Sequence, residues 1–229
     1  MTHFLTTSQV PIPVISPIFY SLMIITLIVL TFLSLKHYKK QRYHVFFKKL
    51  QIIQMLTLYL WYLGAHISLS ESLPFYHCRI AMFVLLFMPD RRRLKLYFAF
   101  LGLIGATCAI CHPILDPYKL PHITTVSYLV GHYALYVNAL VYLLTYYQAN
   151  QLNFEFVLKT TLVMNIGLIF VNLLTGGNYG FLKTSPIVNS QKIGFNYMIV
   201  SLVLICSIVL CNNFFKRNYS IYLKMTNED

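Results

Sequence analysis

Long apolar runs alternate along the chain with short gaps in which lysine and arginine gather. The first run, about 14–35, is nearly continuous from Val14 to Leu35, with Pro17 near its start, and is long enough to cross a hydrocarbon layer as a helix. A gap holding Lys36, Lys39, Lys40, Arg42, Lys48 and Lys49 follows. The second run, about 50–69, passes through Leu60, Trp61 and Tyr62 to His66. A third, about 73–88, is short for a span and reaches across only if upright or where the bilayer thins. Pro89-Asp90-Arg91-Arg92-Arg93 ends it abruptly. Runs at about 96–114, 124–147, 157–175 and 195–215 complete seven, and Gly176-Gly177-Asn178-Tyr179-Gly180 breaks the chain after the sixth. Gly102 and Gly105 in the fourth run permit close helix contact in lipid. The pattern predicts an all-α, polytopic transmembrane helix bundle of about seven spans, forming a single membrane domain over residues 1–229.

Composition agrees with that class. The chain is 58% hydrophobic and only 10% charged, with a mean hydropathy of +0.64, which fits a soluble domain poorly. A net charge of +12 would suggest a nucleic-acid partner in a soluble protein. Here the cations sit between apolar runs, so they read as topology signals and no nucleic acid is expected. Seven alternating spans put the gaps 36–49, 89–95 and 148–159 and the tail from 216 on one side, leaving Lys119, Lys183 and Lys192 on the other and Arg79 inside the third run. The positive-inside rule then predicts an external N-terminus and a cytoplasmic C-terminus. Residues Met1 to Val14 carry no Lys or Arg, and no small-residue cleavage site follows, which argues against a cleaved secretory signal.

The candidate chemistry centres on Leu73-Pro74-Phe75-Tyr76-His77-Cys78-Arg79, where an imidazole, a thiol and a guanidinium open an apolar run. Isolated polar groups there are costly unless paired or used. In the predicted orientation His77 and Cys78 lie about one turn from the outer face and His132 about 12 Å deep, and both can face one outward-opening pocket. His66 lies near the outer end of the second run, and Asn178 and Tyr179 lie in the outer loop after the sixth. A thiol becomes a nucleophile when a base removes its proton, and His132 can serve Cys78 if their helices touch. His77 is a poor partner, because adjacent residues on a helix do not face each other. The alternative is that Cys78 is a small buried hydrophobe and His132 a packing histidine tied to a tyrosine hydroxyl. Arg79 could bind a lipid phosphate, support an oxyanion, or snorkel to the headgroups.

Asn165 and Asn172, seven residues apart, share one helix face, and Asn138 lies inside the fifth run. Such amides either bond across helices or line a polar pocket. Cys108-Ala109-Ile110-Cys111-His112 has the spacing of a c-type haem attachment, but it ends an apolar helix directly before Pro113, so ordinary helix residues are the expectation, with a vicinal disulfide-like redox pair as the alternative. The histidines are scattered over several segments in no persuasive metal-ligand spacing, and neither metal nor cofactor is expected. Asn218-Tyr219-Ser220 has the form of a glycosylation acceptor, which the predicted topology places in the cytoplasm.

Leu73-Pro74 with Cys78, Gly131-His132, and Thr175-Gly176-Gly177-Asn178-Tyr179-Gly180-Phe181-Leu182 followed by Pro186 carry a resemblance to the YwaF-like family of integral membrane proteins, over residues of about 50–205. That family is common in Gram-positive bacteria, and its animal relatives include a phospholipid acyltransferase. The resemblance implies a helical bundle in which Cys78 and His132 move an acyl chain through a thioester. Arg79, Asn178, Tyr179, His77 and His66 would then be substrate or oxyanion contacts, with Asn165, Asn172 and Asn138 lining the pocket. The family's early histidine stands two residues before the cysteine, where this chain has Tyr76. The expected partners are membrane phospholipids and a lipid, lipoprotein or glycopolymer acceptor, in the cell membrane of a Gram-positive bacterium. Exchange of one ester for another needs no nucleotide and no metal. The competing expectation is a non-catalytic membrane protein, either a small-molecule or lipid transporter or an assembly partner. Against transport, the chain shows no convincing internal repeat.

Overall fold

The computed structural model describes residues 3–185 and 188–226, with 219–226 as backbone only; Pro186, part of the resemblance, lies outside the described residues. Eight α-helices are found among the described residues: α1 (Pro17–His37), α2 (Gln41–Gly64), α3 (Leu69–Ser72), α4 (His77–Phe87), α5 (Arg93–Cys111), α6 (Ile123–Tyr146), α7 (Phe154–Thr175) and α8 (Ile193–Thr226). A single 3-10 turn, Tyr179–Phe181, lies between α7 and α8, and no strand occurs among the described residues.

Local chemistry sets the ends. Ser16 caps α1 by accepting from the Phe19 amide, with Pro17 at the first helical position, where a missing N–H costs nothing. Asn153 caps α7 through the Phe156 amide, and Gly176 ends α7 in the left-handed region at φ 73°. The basic gap between the first two runs is mostly helix: only three residues separate His37 from Gln41, so Arg42, Lys48 and Lys49 belong to α2. Lysine and arginine are good helix formers whose stems reach the interface, so their charge marks the membrane boundary rather than a helix end.

Five helices are long and apolar enough to cross a membrane: α1, α5, α6, α7 and α8 through Asn218. The third run is divided. Pro74 holds the chain extended between α3 and α4, and α4 has eleven residues, about 16 Å of helix against a hydrocarbon layer of about 30 Å. His77 and Cys78 are therefore the first two residues of a helix, rather than one turn inside one.

The α5–α6 hairpin is the centre of the molecule. More than half of its apolar windows are buried, whereas those of α1, α7 and α8 are less than a third buried and present Ile25, Phe32, Phe170 and Leu202 outward. Exposed apolar stripes around a buried hairpin are what a lipid-facing bundle requires. Helices alternate in direction, so the bundle has two ends. At one, Arg93 donates to Asn153, Gln151 to the Arg91 carbonyl and Tyr147 to Asn212, and the basic clusters gather there. At the other, the segment after residue 3 lies across the helix ends: Ile123 donates to Phe4 O, Trp61 to Leu5 O and Val10 to Pro117 O. Phe4, Leu58, Trp61, Tyr62, Tyr118 and Ile123 form an apolar cluster over this loop end.

Candidate functional site

Cys78 is half-buried at the start of α4, which packs against both α5 and α6. Its seat is Gly105 of α5: a Cβ on Gly105 would stand 2.8 Å from the Cys78 sulfur. A Cβ on Gly102, one turn earlier, would stand 2.9 Å from Leu135 and 3.4 Å from Ala81. The two glycines thus set how closely α4 and α6 approach α5. Tyr76, the N-cap of α4, makes no side-chain capping bond, and the Ile80 amide is the first to bond within the helix, to Tyr76 O. The amides of His77, Cys78 and Arg79 have no partner within the helix and point out of its end.

His132 lies on α6 with its Nδ1 2.7 Å from the Tyr128 carbonyl. A carbonyl only accepts, so Nδ1 carries the hydrogen, and the neutral ring presents a basic lone pair at Nε2. Nε2 has no hydrogen-bond partner among the described residues. The Tyr128 ring lies 4.4 Å from that of His132, and its hydroxyl donates to Ala109 O on α5 at 2.7 Å. Cys78 on α4 and His132 on α6 stand on contacting helices, with Tyr128 packed beside the histidine.

The other sequence candidates are mostly occupied. Arg79 donates to the Tyr62 hydroxyl at 2.7 Å and to Leu73 O at 3.3 Å, and its guanidinium carbon stands 5.0, 5.2 and 5.9 Å from the ring centres of Tyr76, Tyr62 and Tyr59. It sits in a tyrosine cage rather than snorkelling outward. His77 donates from Nε2 to Asn165 Oδ1 at 2.8 Å, and Asn165 donates to Ser201 at 2.9 Å, linking α4, α7 and α8. Asn172 accepts from the Tyr179 amide and donates to the Tyr179 carbonyl. The Tyr179 hydroxyl donates to Leu69 O at 2.6 Å and accepts from the Leu73 amide at 2.9 Å, which fastens the approach to Cys78 onto the α7–α8 loop. Asn178 accepts from the Lys183 and Thr184 amides and donates to Thr184, so its bonding groups are spent within the loop. Asn138 donates to Phe47 O at 3.2 Å, tying α6 to α2. His66 is exposed beyond α2 at φ 52°, and its side chain has no partner among the described residues.

Sequence reasoning missed a buried amide chain: Gln51 donates to Gln54 at 2.7 Å and Gln54 to Ser127. The Gln54 amide packs on Gly131, next to His132. Two glutamines three apart in an apolar helix were the available signal. Tyr128 left no such signal, because many tyrosines line α6. Cys108 and Cys111 are free, exposed thiols. Among the described residues no group of three His, Cys, Asp or Glu side chains could hold a metal. A cavity of about 680 Å³ lies between α1, α5, α6 and α8.

No curated protein and no solved structure matches the chain. The sequence profile of the TMEM164 family matches residues 4–216, nearly the whole length, and the chain belongs to that family of membrane proteins.

Proposed function

We propose that the protein is a membrane thiol acyltransferase in which Cys78 is the nucleophile and His132 the base. The observation that carries the proposal is the setting of the thiol. It is the second residue of a helix whose first amides are uncapped, and that helix packs against α6, which carries a histidine whose Nε2 lone pair is free. A helix N-terminus favours a thiolate, and backbone amides are suitable donors for the oxyanion of a tetrahedral intermediate. The resemblance to the YwaF-like family supports the same reading.

His132 Nε2 takes the Cys78 proton, and the sulfur attacks an ester carbonyl of a phospholipid. The tetrahedral oxyanion is held by the amides of Cys78 and Arg79. Collapse breaks the carbon–oxygen bond, and the lysophospholipid oxygen leaves with the proton from His132. A hydroxyl or amine then gives its proton to Nε2 and attacks the thioester, which frees the thiol. Arg79, fixed in its tyrosine cage, supplies positive charge near the intermediate. Tyr179, Asn172, His77 and Asn165 hold the helix ends in register, a positioning role in place of the substrate contact or pocket lining the sequence suggested. In the same reading the basic end is cytoplasmic, the N-terminus is external, and the protein lies in the cell membrane of a Gram-positive bacterium. A lipid, lipoprotein or glycopolymer accepts the chain.

The test is acyl exchange in vesicles containing a phospholipid with isotope-labelled acyl chains and a lysophospholipid or amine acceptor. Label appears in the acceptor with the wild type and falls to background with Cys78→Ala and His132→Ala. Transfer that survives Cys78→Ala, or no transfer by folded wild type with any of these acceptors, overturns the proposal and favours a non-catalytic lipid-binding role.

A further inference from the structure

We infer that the cavity between α1 and α8 is a binding groove for one acyl chain of an anionic phospholipid, with the phosphate held at the basic end. This goes beyond acyl transfer and does not depend on the reactivity of Cys78.

The cavity, about 680 Å³, is the slot left where α1 and α8 both lean on the α5–α6 pair. Its wall on α6 runs from Tyr136 to Tyr147, three turns or about 16 Å of helix. Leucines, phenylalanines and tyrosines dominate the lining, and no Asp, Glu, Lys or Arg lines it. The polar groups along it are largely satisfied: Thr31 and Tyr136 bond each other at 2.7 Å, while Thr107 and Thr145 each donate to a carbonyl of their own helix. Such a wall suits an alkyl chain and offers little to a polar solute.

Charge identifies the head. Tyr38 and Asn218 line the basic end of the slot, and the Lys39 ammonium stands 5.7 Å from the Tyr38 ring centre. Lys36 and Lys40 flank Tyr38 on α1 and beyond it, and Lys216 and Arg217 lie between the lining residues Phe215 and Asn218; all are exposed. No described carboxylate neutralises them. The two ion pairs among the described residues, Lys95–Asp90 and Lys159–Glu155, occupy the described acids of this end elsewhere. An apolar slot with several exposed cations at its mouth, none paired with a described carboxylate, is complementary to a lipid carrying a phosphate of net negative charge.

The experiment is native mass spectrometry of the full chain bearing Cys78→Ala, so that no thioester can form. It is released from vesicles of equal parts dioleoyl phosphatidylglycerol and dioleoyl phosphatidylcholine. Retained phosphatidylglycerol should exceed phosphatidylcholine, and Lys39→Gln, Lys216→Gln and Arg217→Gln together should remove that preference, at about fivefold per cation. Leu144→Trp, which fills the slot, should remove the retained lipid altogether. Equal retention of both lipids, or a preference unaffected by the three substitutions, overturns the anionic head. Lipid retained unchanged by folded Leu144→Trp places it on the outer surface and overturns the groove. Should Leu144→Trp not fold, the surface substitutions alone decide. Because acyl exchange is measured separately with the wild-type thiol, failure of the groove and failure of the acyltransferase reading give different results.

Discussion

At the residue scale, the close approach of Gly105 to the Cys78 sulfur makes a sharp test of what that glycine is for. Gly105→Ala puts a methyl where the sulfur lies, and overpacking of this kind costs about 1–3 kcal/mol when neighbours cannot yield. The thiol must turn away, so acyl exchange is expected to fall at least as far as thermal stability in detergent. Exchange at the wild-type rate would show that the sulfur position is irrelevant. Tyr179→Phe removes one hydroxyl that both donates to Leu69 O and accepts from the Leu73 amide. Leaving those groups unpaired costs about 1–3 kcal/mol, read as a lower unfolding midpoint in detergent. An unchanged midpoint would mean that water replaces the hydroxyl. The sequence singled out Cys78 and His132 because each stands among other polar groups near the start of an apolar run. The spent bonding of Asn178 and Tyr179 was not legible, since an Asn-Tyr pair in a glycine-rich loop reads equally as ligand contact or loop brace. Only the partners decide.

At the element scale, the apolar runs foretold the long helices to within a few residues, and the exceptions have physical causes. Charge concealed the first turns of α2, because its lysines are helix formers placed at an interface. Pro74 and the extended Leu73–Tyr76 backbone split the third run, which hydropathy alone reads as continuous. The cap of α6 yields a pH prediction. His122 accepts from the Thr124 amide through Nδ1 and donates from Nε2 to Thr6 O at 3.0 Å, so it joins α6 to the segment lying across the loop end. Burial pushes its pKa below the ordinary 6.5, against the opposing pull of the Thr6 carbonyl and Asp116. The undocked histidine gains a proton as pH falls through about 6.5 while the docked one stays neutral, so docking is at full strength above that pH and weakens below it. Hydrogen-exchange protection of the Ile123 and Val10 amides should therefore drop between pH 7 and pH 5, and that drop should vanish in His122→Gln. Constant protection in the wild type would contradict the assignment.

At the scale of the whole molecule, the α5–α6 hairpin is a buried spine, and the surrounding helices turn apolar faces outward. Membrane class was legible from composition and the alternation of runs. Which helix lies at the centre was not, because α5 and α8 are similarly apolar and only packing distinguishes them. The basic clusters at one end predict that a membrane-impermeant maleimide added to intact cells will label a cysteine placed at Lys119 and not one placed at Lys40. The reverse pattern would invert the proposed orientation. The central claim is that Cys78 carries an acyl chain. It is tested most directly by intact-mass measurement of the purified protein after incubation with phospholipid of a single defined acyl composition. The account predicts a mass increase equal to that acyl group, removed by hydroxylamine, absent in Cys78→Ala and strongly reduced in His132→Ala. Folded wild type that transfers label in the vesicle assay yet shows no adduct, or an adduct that persists in Cys78→Ala, would contradict it.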